Sequence, residues 1–304
     1  MNAIILTDGK AGHENQSKAF ARALGCEAEI VPVSFKSKLH KTFSYLLDRI
    51  GVRTLCLYNP FEASKSADVV IGTGSGVFYA VKSLAKSLGI KCGVVLYPRG
   101  YDIASFDCVM APSFDSPKKA KNVVEIPANL VASDEAFYQR GVEAFREKYS
   151  PGPGNAVAVI VGGPNKCSTM TAEWMREQLN AIFDANKGCE MWVTTSRRTP
   201  PDVEAVVDSF PWNYRLIYSR DHFNPIPAFV KLADRLYVTA ESTGMLSEAC
   251  TFGEAEVIPL DNLNPGGHKF RRFVEGLQTA GYANGRRKID LSAQFASAKR
   301  LLGL

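Results

Sequence analysis

Two glycine-rich turns, one in each half of the chain, constrain the fold more than any other feature of the sequence. The first spans residues 8–12 after the apolar run 4–6, and the second spans residues 162–166 after the apolar run 157–161. A short β-branched run that stops at glycines and leads into a helical pattern is typical of a parallel βαβ unit, whose loop lies where such sheets bind ligands. Because this opening occurs twice, the sequence predicts an α/β protein of two Rossmann-like domains with parallel sheets, facing each other across a cleft.

A cluster of prolines and glycines separates the two repeats. Residues 150–154 read Ser-Pro-Gly-Pro-Gly, a composition that stops helices and suits a linker. We therefore expect an N-terminal domain over residues 1–150 and a C-terminal domain over residues 151–304, both built from alternating strands and helices. Whether the last helix returns to the N-terminal domain is left open.

The composition is that of an ordinary globular protein, with 46% hydrophobic and 22% charged residues. No apolar run approaches the roughly 20 residues of a membrane-spanning helix, and no secretion signal is recognisable. The seven cysteines and four histidines are scattered, which argues against a disulfide framework and a metal site. The net charge of +5 is too small for a dedicated nucleic-acid binder. We expect a cytoplasmic protein with no metal and no nucleic-acid partner.

The first glycine turn carries the candidate catalytic residues. His13 lies where a general base reaches a substrate, and Asp8 or Glu14 can orient its ring. The Gly-x-x-Gly spacing fits neither a dinucleotide-binding fingerprint nor a P-loop. The structural alternative is a tight strand-to-helix turn in which His13 only caps the helix. The other acceptor-side residues expected in this loop are Gly9, Lys10, Gly12, Asn15 and Gln16.

Another N-terminal glycine turn, Gly-Thr-Gly-Ser-Gly over residues 72–76, follows the apolar run 69–71. Through Gly74 and Ser75 it can hold an anionic or polyhydroxy acceptor. Glycines that permit tight packing between helix and sheet explain the same sequence equally well. We assign the turn to the acceptor side with this alternative open.

Hydroxyl and guanidinium groups follow a strand in the second half. Ser196, Arg197 and Arg198 come after the apolar run 191–193 and before two prolines that suit the first turn of a helix. The planar guanidinium fork matches phosphate oxygens, and a helix N-terminus adds positive potential. A solvated arginine pair is the alternative. We expect these residues to contact the phosphates of a nucleotide.

The stretch that ends at Glu248 is the strongest single indication of a nucleotide site. Ser242, Thr243 and Gly244 form a polar helix N-terminus after a strand, which suits a pyrophosphate. Glu248 lies about one turn further along, where a carboxylate can accept hydrogen bonds from ribose hydroxyls. An ordinary N-cap explains Ser242 or Thr243 but leaves the pair of Glu241 and Glu248 unexplained.

A basic segment follows the glycine pair at 266–267. It contains Lys269, Arg271 and Arg272 at the start of a helical pattern. Positive charge at a helix N-terminus opposes the helix dipole, so a structural advantage is not expected. A bound anion facing the segment would resolve the conflict.

Four stretches carry a resemblance to a known family. They are Leu-Thr-Asp-Gly-Lys-Ala-Gly-His-Glu-Asn-Gln at 6–16, Thr-Thr-Ser-Arg-Arg-Thr-Pro at 194–200, Thr-x-Glu-Ser-x-x-Met-x-Ser-Glu-Ala at 239–249 and Lys-Phe-Arg-Arg-Phe at 269–273. In this order they resemble the bacterial members of the mitochondrial-fission ELM-type family, which are also labelled glycosyltransferases. Glu241 departs from the pattern, since aspartate is expected there. The chain is also similar, more distantly, to the UDP-N-acetylglucosamine transferase of peptidoglycan synthesis.

The resemblance implies a GT-B architecture, in which the C-terminal domain binds most of a nucleotide sugar and the N-terminal domain serves the acceptor. The residues then expected on the donor side are Gly162, Gly163, Ser196, Arg197, Arg198, Glu241, Ser242, Thr243, Gly244, Met245 and Glu248.

The leading functional hypothesis is a metal-independent glycosyltransferase. It would need no cofactor and would move a sugar from a nucleotide-sugar co-substrate to a lipid-linked or cell-envelope saccharide, with His13 as base and Asp8 beside it. Positive groups and helix N-termini would stabilise the leaving diphosphate. One alternative is an enzyme like the UDP-N-acetylhexosamine epimerases, and a second is a non-catalytic membrane adaptor on the same scaffold.

The segment 34–50 combines an apolar stripe with basic residues. The apolar residues are Phe35, Leu39, Phe43, Leu46, Leu47 and Ile50, and the basic residues are Lys36, Lys38, Lys41 and Arg49. The favoured interpretation is a helix whose stripe faces the core and whose basic side is solvated. The alternative is an interfacial patch that binds an anionic membrane surface, which would place the protein peripherally at the inner membrane.

Overall fold

The structure is a computed structural model that describes residues 1–266 and 268–304. It divides into two compact units. The first unit comprises Met1–Ala132 together with Asp290–Leu304, and the second comprises Ser133–Ile289.

The first unit is a six-stranded parallel sheet with helices on both faces, in the strand order β2-β1-β3-β4-β5-β6. Its strands are β1 (Asn2–Thr7), β2 (Glu27–Pro32), β3 (Val69–Thr73), β4 (Lys91–Val95), β5 (Cys108–Pro112) and β6 (Val123–Ile126). Its helices are α1 (Ala11–Leu24), α2 (Lys38–Arg49), α3 (Phe78–Leu88) and α10 (Ser292–Leu302). Ile4 and Leu6 pack into one core and Ile5 into another on the opposite face, so both faces of the sheet are covered. This explains why inner strands such as β1 and β3 are apolar runs in the sequence, whereas the edge strand β2 is largely exposed.

The second unit repeats the scheme with five parallel strands in the order β11-β10-β7-β8-β9. Its strands are β7 (Ala156–Ile160), β8 (Glu190–Thr194), β9 (Tyr214–Leu216), β10 (Arg235–Thr239) and β11 (Glu256–Leu260). Its helices are α4 (Glu135–Lys148), α5 (Ala172–Ala185), α6 (Pro201–Asp208), α7 (Ile226–Leu232), α8 (Thr243–Phe252) and α9 (His268–Thr279). Within the described residues, no helix combines the length and apolarity needed to span a bilayer.

The division between the units lies before the proline–glycine cluster at 150–154. Helix α4 precedes that cluster but packs on α7 of the second unit, where a Cβ added to Gly141 would lie 2.5 Å from Pro227 Cβ. At the other end of the chain, α10 belongs to the first unit and buries Ala298 and Leu302 against the core that contains Phe20.

Helix α2 lies in the opposite orientation to the one favoured from the sequence. Its buried residues are the polar Ser44 and Asp48, whereas Leu39 and Phe43 of the apolar stripe are at least half exposed. Asp48 is held inside by Lys82 of α3, whose Nζ lies 2.7 Å from Asp48 Oδ1 and is itself buried. The prediction of a core-facing stripe is therefore wrong for the exposed part of the stripe, because a buried ion pair fixes which face of the helix points inward.

Candidate functional site

The loops after β1 and β3 meet at one edge of the first sheet because these two strands are neighbours. The backbone leaves β1 through Gly9, whose φ of 77° lies in the left-handed region that glycine adopts readily. Helix α1 then begins, with Lys10 as its N-cap. His13 is therefore inside the helix and does not cap it.

Asp8 and His13 form a hydrogen-bonded pair in this loop. His13 Nδ1 lies 3.0 Å from Asp8 Oδ1 and 3.2 Å from Oδ2, and Lys10 Nζ lies 2.8 Å from Oδ2. Burial opposes ionisation of Asp8, but the hydrogen bonds and positive charges of Lys10 and His13 outweigh it and lower the pKa of Asp8. When the N–H at Nδ1 of His13 donates its hydrogen bond to the Asp8 carboxylate, Nε2 is the ring nitrogen that can take up a proton.

The glycine turn at residues 72–76 lies against this pair. A Cβ added to Gly74, which has a φ of 92°, would lie 2.5 Å from His13 Nδ1, and one added to Gly76 would lie 2.9 Å from Asp8 Cβ. Gly72 instead faces Val77 and Val81 of the packed helix. The glycines of this turn thus have both of the roles considered from the sequence. Gly72 allows the helix to pack closely on the sheet, and Gly74 and Gly76 leave space for the Asp8–His13 pair.

The other acceptor-side residues surround this pair unevenly. Ser75 Oγ accepts a hydrogen bond of 2.9 Å from Lys41 of α2, a lysine that the sequence had not assigned to the loop. Gly12 is exposed and a Cβ there would meet nothing within 4 Å. Asn15 is exposed, while the Oε1 atom of Gln16 is buried without a hydrogen-bond partner among the described residues. The edge thus presents hydrogen-bonding groups and two lysine side chains around His13.

The second unit brings together the loops that follow β7, β8 and β10, because these strands lie side by side. Thr199 Oγ1 donates to the carbonyl oxygen of Gly162 at 2.6 Å. A Cβ on Gly163 would collide with the backbone of Arg198. The glycine turn is thus required by contact with the neighbouring loop, and Thr199, which was not predicted, holds the two loops together.

Glu241 has a different place from the one predicted. It is 3% exposed, and its carboxylate accepts hydrogen bonds from Gly163 N at 2.8 Å and from Asn262 Nδ2 at 2.8 Å. Thr239 Oγ1 adds a third bond of 3.1 Å. Both oxygens are thus taken up by the protein, so Glu241 braces the glycine turn instead of facing a ligand. Asn262 was missed because nothing in the sequence distinguishes it from an ordinary loop residue.

The N-terminus of α8 is open to a ligand. Ser242 is the N-cap, and within the described residues its side chain makes no capping hydrogen bond. Thr243 takes part in contacts within the chain, Met245 is partly buried, and Gly244 is exposed with nothing within 4 Å of an added Cβ. The backbone N–H groups at the start of a helix have no intrahelical acceptor, so this first turn can receive an anion.

Arg197 and Arg198 are exposed in the loop that touches the glycine turn. In the part of the chain that the structure describes, neither guanidinium has a hydrogen bond or an ion pair. Ser196 Oγ accepts the backbone N–H of Arg198 at 3.3 Å and lies 3.2 Å from Thr199 Oγ1. The two arginines remain available for an anionic ligand.

At the predicted basic helix start, the charge of Arg271 is compensated within the chain. Arg271 Nη1 lies 3.0 Å from Asp261 Oδ2, and Nη2 donates to the carbonyl oxygen of Leu263. Lys269 and Arg272 also take part in interactions within the chain, and Gly267 lies outside the described residues. A bound anion is therefore not needed to explain Arg271, since Asp261 compensates its charge.

Glu248 of α8 turns toward helix α4. Its Oε1 atom accepts a hydrogen bond of 2.8 Å from the hydroxyl of Tyr138, which is fully buried. Burial raises the pKa of Glu248, and the Tyr138 hydrogen bond offsets part of that effect.

Glu248→Gln is expected to stabilise the protein in a pH-dependent way. Because the folded-state pKa is raised, the wild type loses stability as pH rises from the unfolded pKa through the folded pKa, whereas the glutamine variant does not. The Tm difference should be near zero at pH 4 and favour the variant at pH 8, as measured by calorimetry. Glu275→Gln, at an exposed site of α9, is the control; a destabilised Glu248→Gln at pH 8 would contradict the assignment.

Among residues 1–266 and 268–304, no group of three or more His, Cys, Asp or Glu side chains is placed to hold a metal ion. The polar groups at both sheet edges are cationic side chains, hydroxyls, backbone N–H groups and the Asp8–His13 pair. This chemistry suits an anionic, polyhydroxy ligand in the second unit and proton transfer in the first.

Comparison with known proteins agrees with this architecture. The family profile described as Mitochondrial fission ELM1 matches residues 11–297. None of the curated proteins matches the chain. Three solved structures illustrate the shared fold, which is that of GT-B glycosyltransferases and related epimerases. They are UDP-GlcNAc 2-epimerase of Neisseria meningitidis bound to UDP-GlcNAc (11% identity, 100% of this chain and 99% of that chain covered, TM-score 0.53), MurG of Acinetobacter baumannii (14%, 100% and 92%, 0.51) and the MnaA–UDP structure of S. aureus (14%, 99% and 88%, 0.50).

The likeness confirms the predicted α/β fold with two Rossmann-like domains. Identities this low support the fold alone, and the chemistry has to be argued from the residues of this chain.

Proposed function

The chain belongs to the mitochondrial fission ELM1 family, and from that premise we propose that it is a metal-independent glycosyltransferase that uses a nucleotide sugar. The second unit binds the nucleoside diphosphate of the donor. The first unit deprotonates the hydroxyl of a saccharide acceptor, lipid-linked or from the cell envelope.

Gly244 is the observation that carries the donor half of the proposal. Glycine within a helix is less favourable than alanine by roughly 0.5–1 kcal/mol. No residue that the structure describes requires glycine here, since none has an atom within 4 Å of an added Cβ. Its position in the first turn of α8 lets a phosphate lie directly on the backbone N–H groups. The unpaired side chains of Arg197 and Arg198 supply further positive charge for the diphosphate.

Glu248 and Glu241 have separate roles in this proposal. Oε1 of Glu248 is occupied by Tyr138, and we assign its other oxygen to the ribose hydroxyls. Glu241 acts indirectly by holding the Gly163 turn. Burying the Glu248 carboxylate lowers the stability of the protein. Residues that serve binding often have such a cost in stability.

The Asp8–His13 pair performs the acid–base step. The acceptor oxygen attacks the anomeric carbon while its proton passes to His13 Nε2. The bond between that carbon and the phosphate oxygen breaks, and its electron pair leaves with the nucleoside diphosphate. Asp8 stabilises the imidazolium that forms, and the α8 N-terminus with the two arginines stabilises the leaving group in place of a metal. A single displacement of this kind inverts the anomeric configuration.

Gly244→Ala tests the donor site without disturbing the fold. We expect the methyl group to displace the diphosphate and weaken binding of UDP or a UDP-sugar by about 100-fold, while stability stays equal or rises by up to about 1 kcal/mol. Isothermal titration with a panel of nucleotides, UDP first, measures the affinity, and urea unfolding measures the stability.

Gly276→Ala is the matched control, since it also lies in a helix with nothing near an added Cβ. It should gain similar stability and bind nucleotide as the wild type does. Unchanged affinity in Gly244→Ala would remove the α8 site from the proposal. A folded wild type that binds no nucleotide would refute the proposal and leave the non-catalytic adaptor.

An epimerase-like activity remains the second candidate, because solved epimerases share the fold and a base beside a carboxylate also suits proton abstraction from a sugar. Incubating the donor alone distinguishes the two. An epimerised sugar without acceptor supports the epimerase, whereas release of the nucleoside diphosphate only when an acceptor is present supports transfer.

A further inference from the structure

The outward face of α2 is an apolar stripe without a partner in the described structure. Leu39, Phe43, Leu46 and Ile50 follow one another at helical spacing and are 80%, 50%, 52% and 65% exposed. The first three also line a shallow hollow on this surface. Four neighbouring exposed side chains of this size form a contiguous patch, which in soluble proteins marks a binding surface.

The interior of the first unit holds this stripe outward. Asp48 Oδ1 pairs with Lys82 at 2.7 Å and with Arg53 at 3.2 Å, and Asp48 Oδ2 accepts the backbone N–H of Asp102 at 2.6 Å. Ser44 Oγ lies 2.9 Å from the hydroxyl of Tyr101. Rotating α2 to bury the stripe would expose apolar core and separate a buried ion pair, so the outward orientation is built into the core.

The exposed charged residues of the segment that carries the stripe are of one sign. Lys36, Lys38 and Arg49 are exposed beside it, and on an ideal helix Lys38 and Arg49 project from the same flank of the stripe. Asp48 is the only acidic residue between positions 34 and 54, and it is buried in its ion pair. Basic side chains with apolar stems can extend from this flank to anionic groups while the stripe enters an apolar layer.

We propose that the outward face of α2, defined by Leu39, Phe43, Leu46 and Ile50 with Lys36, Lys38 and Arg49, binds the surface of an anionic lipid bilayer. An acyl layer under a layer of negative headgroups matches both halves of this surface. A second copy of the chain matches it poorly, since a two-fold contact between stripes would bring like charges together. The proposal is independent of the nucleotide chemistry.

Co-sedimentation with vesicles tests the proposal. The wild-type chain should bind phosphatidylcholine vesicles that contain about one third phosphatidylglycerol, should bind pure phosphatidylcholine vesicles much less, and should be released by high salt. Each basic residue near the surface contributes roughly a fivefold factor in the partition coefficient. The triple variant Lys36→Glu, Lys38→Glu, Arg49→Glu is therefore expected to bind at least about 100-fold more weakly.

Matched variants distinguish binding by this patch from an effect of the overall charge or hydrophobicity of the protein. Lys118→Glu, Lys119→Glu, Lys121→Glu makes the same change of charge at three exposed lysines of the same unit and should bind as the wild type does, apart from a small long-range effect. Leu39→Ser with Phe43→Ser should lose binding about 100-fold or more, whereas the exposed Ile30→Ser should not.

Three results would overturn the proposal. They are equal binding to neutral and anionic vesicles, equal losses in the two triple variants, and a wild-type dimer in light scattering that Leu39→Ser with Phe43→Ser converts to monomer. Nucleotide titration of the same variants is run in parallel; because α2 is outside the donor site, normal nucleotide affinity with lost vesicle binding supports the surface and leaves the proposed enzyme intact.

Discussion

His13→Ala is expected to lower kcat about 10²–10⁴-fold and to leave the affinity for the donor nucleotide within about twofold of the wild type. A general base acts in the transition state, and the proposed donor site belongs to the other unit. Asp8→Asn should give a smaller loss in kcat, since the asparagine keeps a hydrogen-bonding group beside His13 but removes the charge that stabilises the imidazolium. Steady-state kinetics with titrated UDP binding measure both effects.

Chemical rescue sharpens this test. His13 is partly exposed, so added imidazole can reach the space left by the alanine and restore part of the turnover if the ring serves as a base. His222→Ala, at an exposed histidine of the second unit, is the control and should change neither quantity. Equal losses in turnover and donor affinity, with no rescue, would make His13 a substrate-holding residue and remove the base from the mechanism.

Asp48→Ala is expected to lower the free energy of unfolding by about 3–5 kcal/mol, because it leaves the buried ammonium of Lys82 without its counter-ion. Lys82 is 3% exposed, and its remaining partners are the carbonyl oxygen of Asp102 and the hydroxyl of Ser105. Burial already lowers the pKa of Lys82, partly offset by Asp48. Losing this much of a typical stability of about 5–15 kcal/mol should be evident in urea unfolding followed by circular dichroism.

The triple variant Asp48→Leu, Lys82→Met, Arg53→Leu distinguishes loss of all the charges from loss of the carboxylate alone, since Arg53 also pairs with Asp48. An apolar replacement of all three ions is expected to be considerably less destabilising than Asp48→Ala. Lys91→Ala breaks a pair with Asp107 at the surface and should change stability by less than about 1 kcal/mol. If Asp48→Ala proved as mild as Lys91→Ala, the ion pair could not be what orients α2.

The alternation of strands and helices was predictable because the inner strands, such as β3 and β7, are buried on both faces. Runs such as 69–71 and 157–161 are apolar throughout and end at glycines, which is sufficient to recognise a parallel α/β protein. Helix α7 was missed because it is short and has prolines before and within its first turn. The expected boundary at residues 150/151 differs from the observed division at 132/133 because α4 lies directly before the proline–glycine cluster in the sequence. Only the packing of α4 on α7 assigns it to the second unit.

Which residues come together in the candidate site was harder to predict, since this depends on which strands are neighbours in the sheet. The sequence indicated His13 and Gly74 separately, and the adjacency of β1 and β3 brings them into contact. Glu241 and Glu248 looked alike as acidic residues near one helix start. The amide groups of Gly163 and Asn262, which are distant in sequence, determine that the first of them is enclosed.

The sequence contains an indication of the orientation of α2 in a pair of charged residues. An amphipathic pattern shows two faces but does not say which of them is inside. Lys82 directly follows the apolar run 78–81 of helix α3, and a lysine buried beside such a run requires a carboxylate partner. Asp48 is on the polar face of α2, so pairing the two residues would have indicated the outward stripe.

Helix α10 has a consequence for how the protein is made on the ribosome. It contributes Ala298 and Leu302 to the core of the first unit, but it is synthesised only after all of Ser133–Ile289. During translation the sheet β1–β6 therefore lacks α10, and Phe20 and Leu24 are incompletely covered. In the same interval the second unit already has all its strands and can fold as a nascent domain. This interval, in which an apolar groove is exposed, is when chaperone binding or aggregation is to be expected. The unit that begins first is the last to be completed.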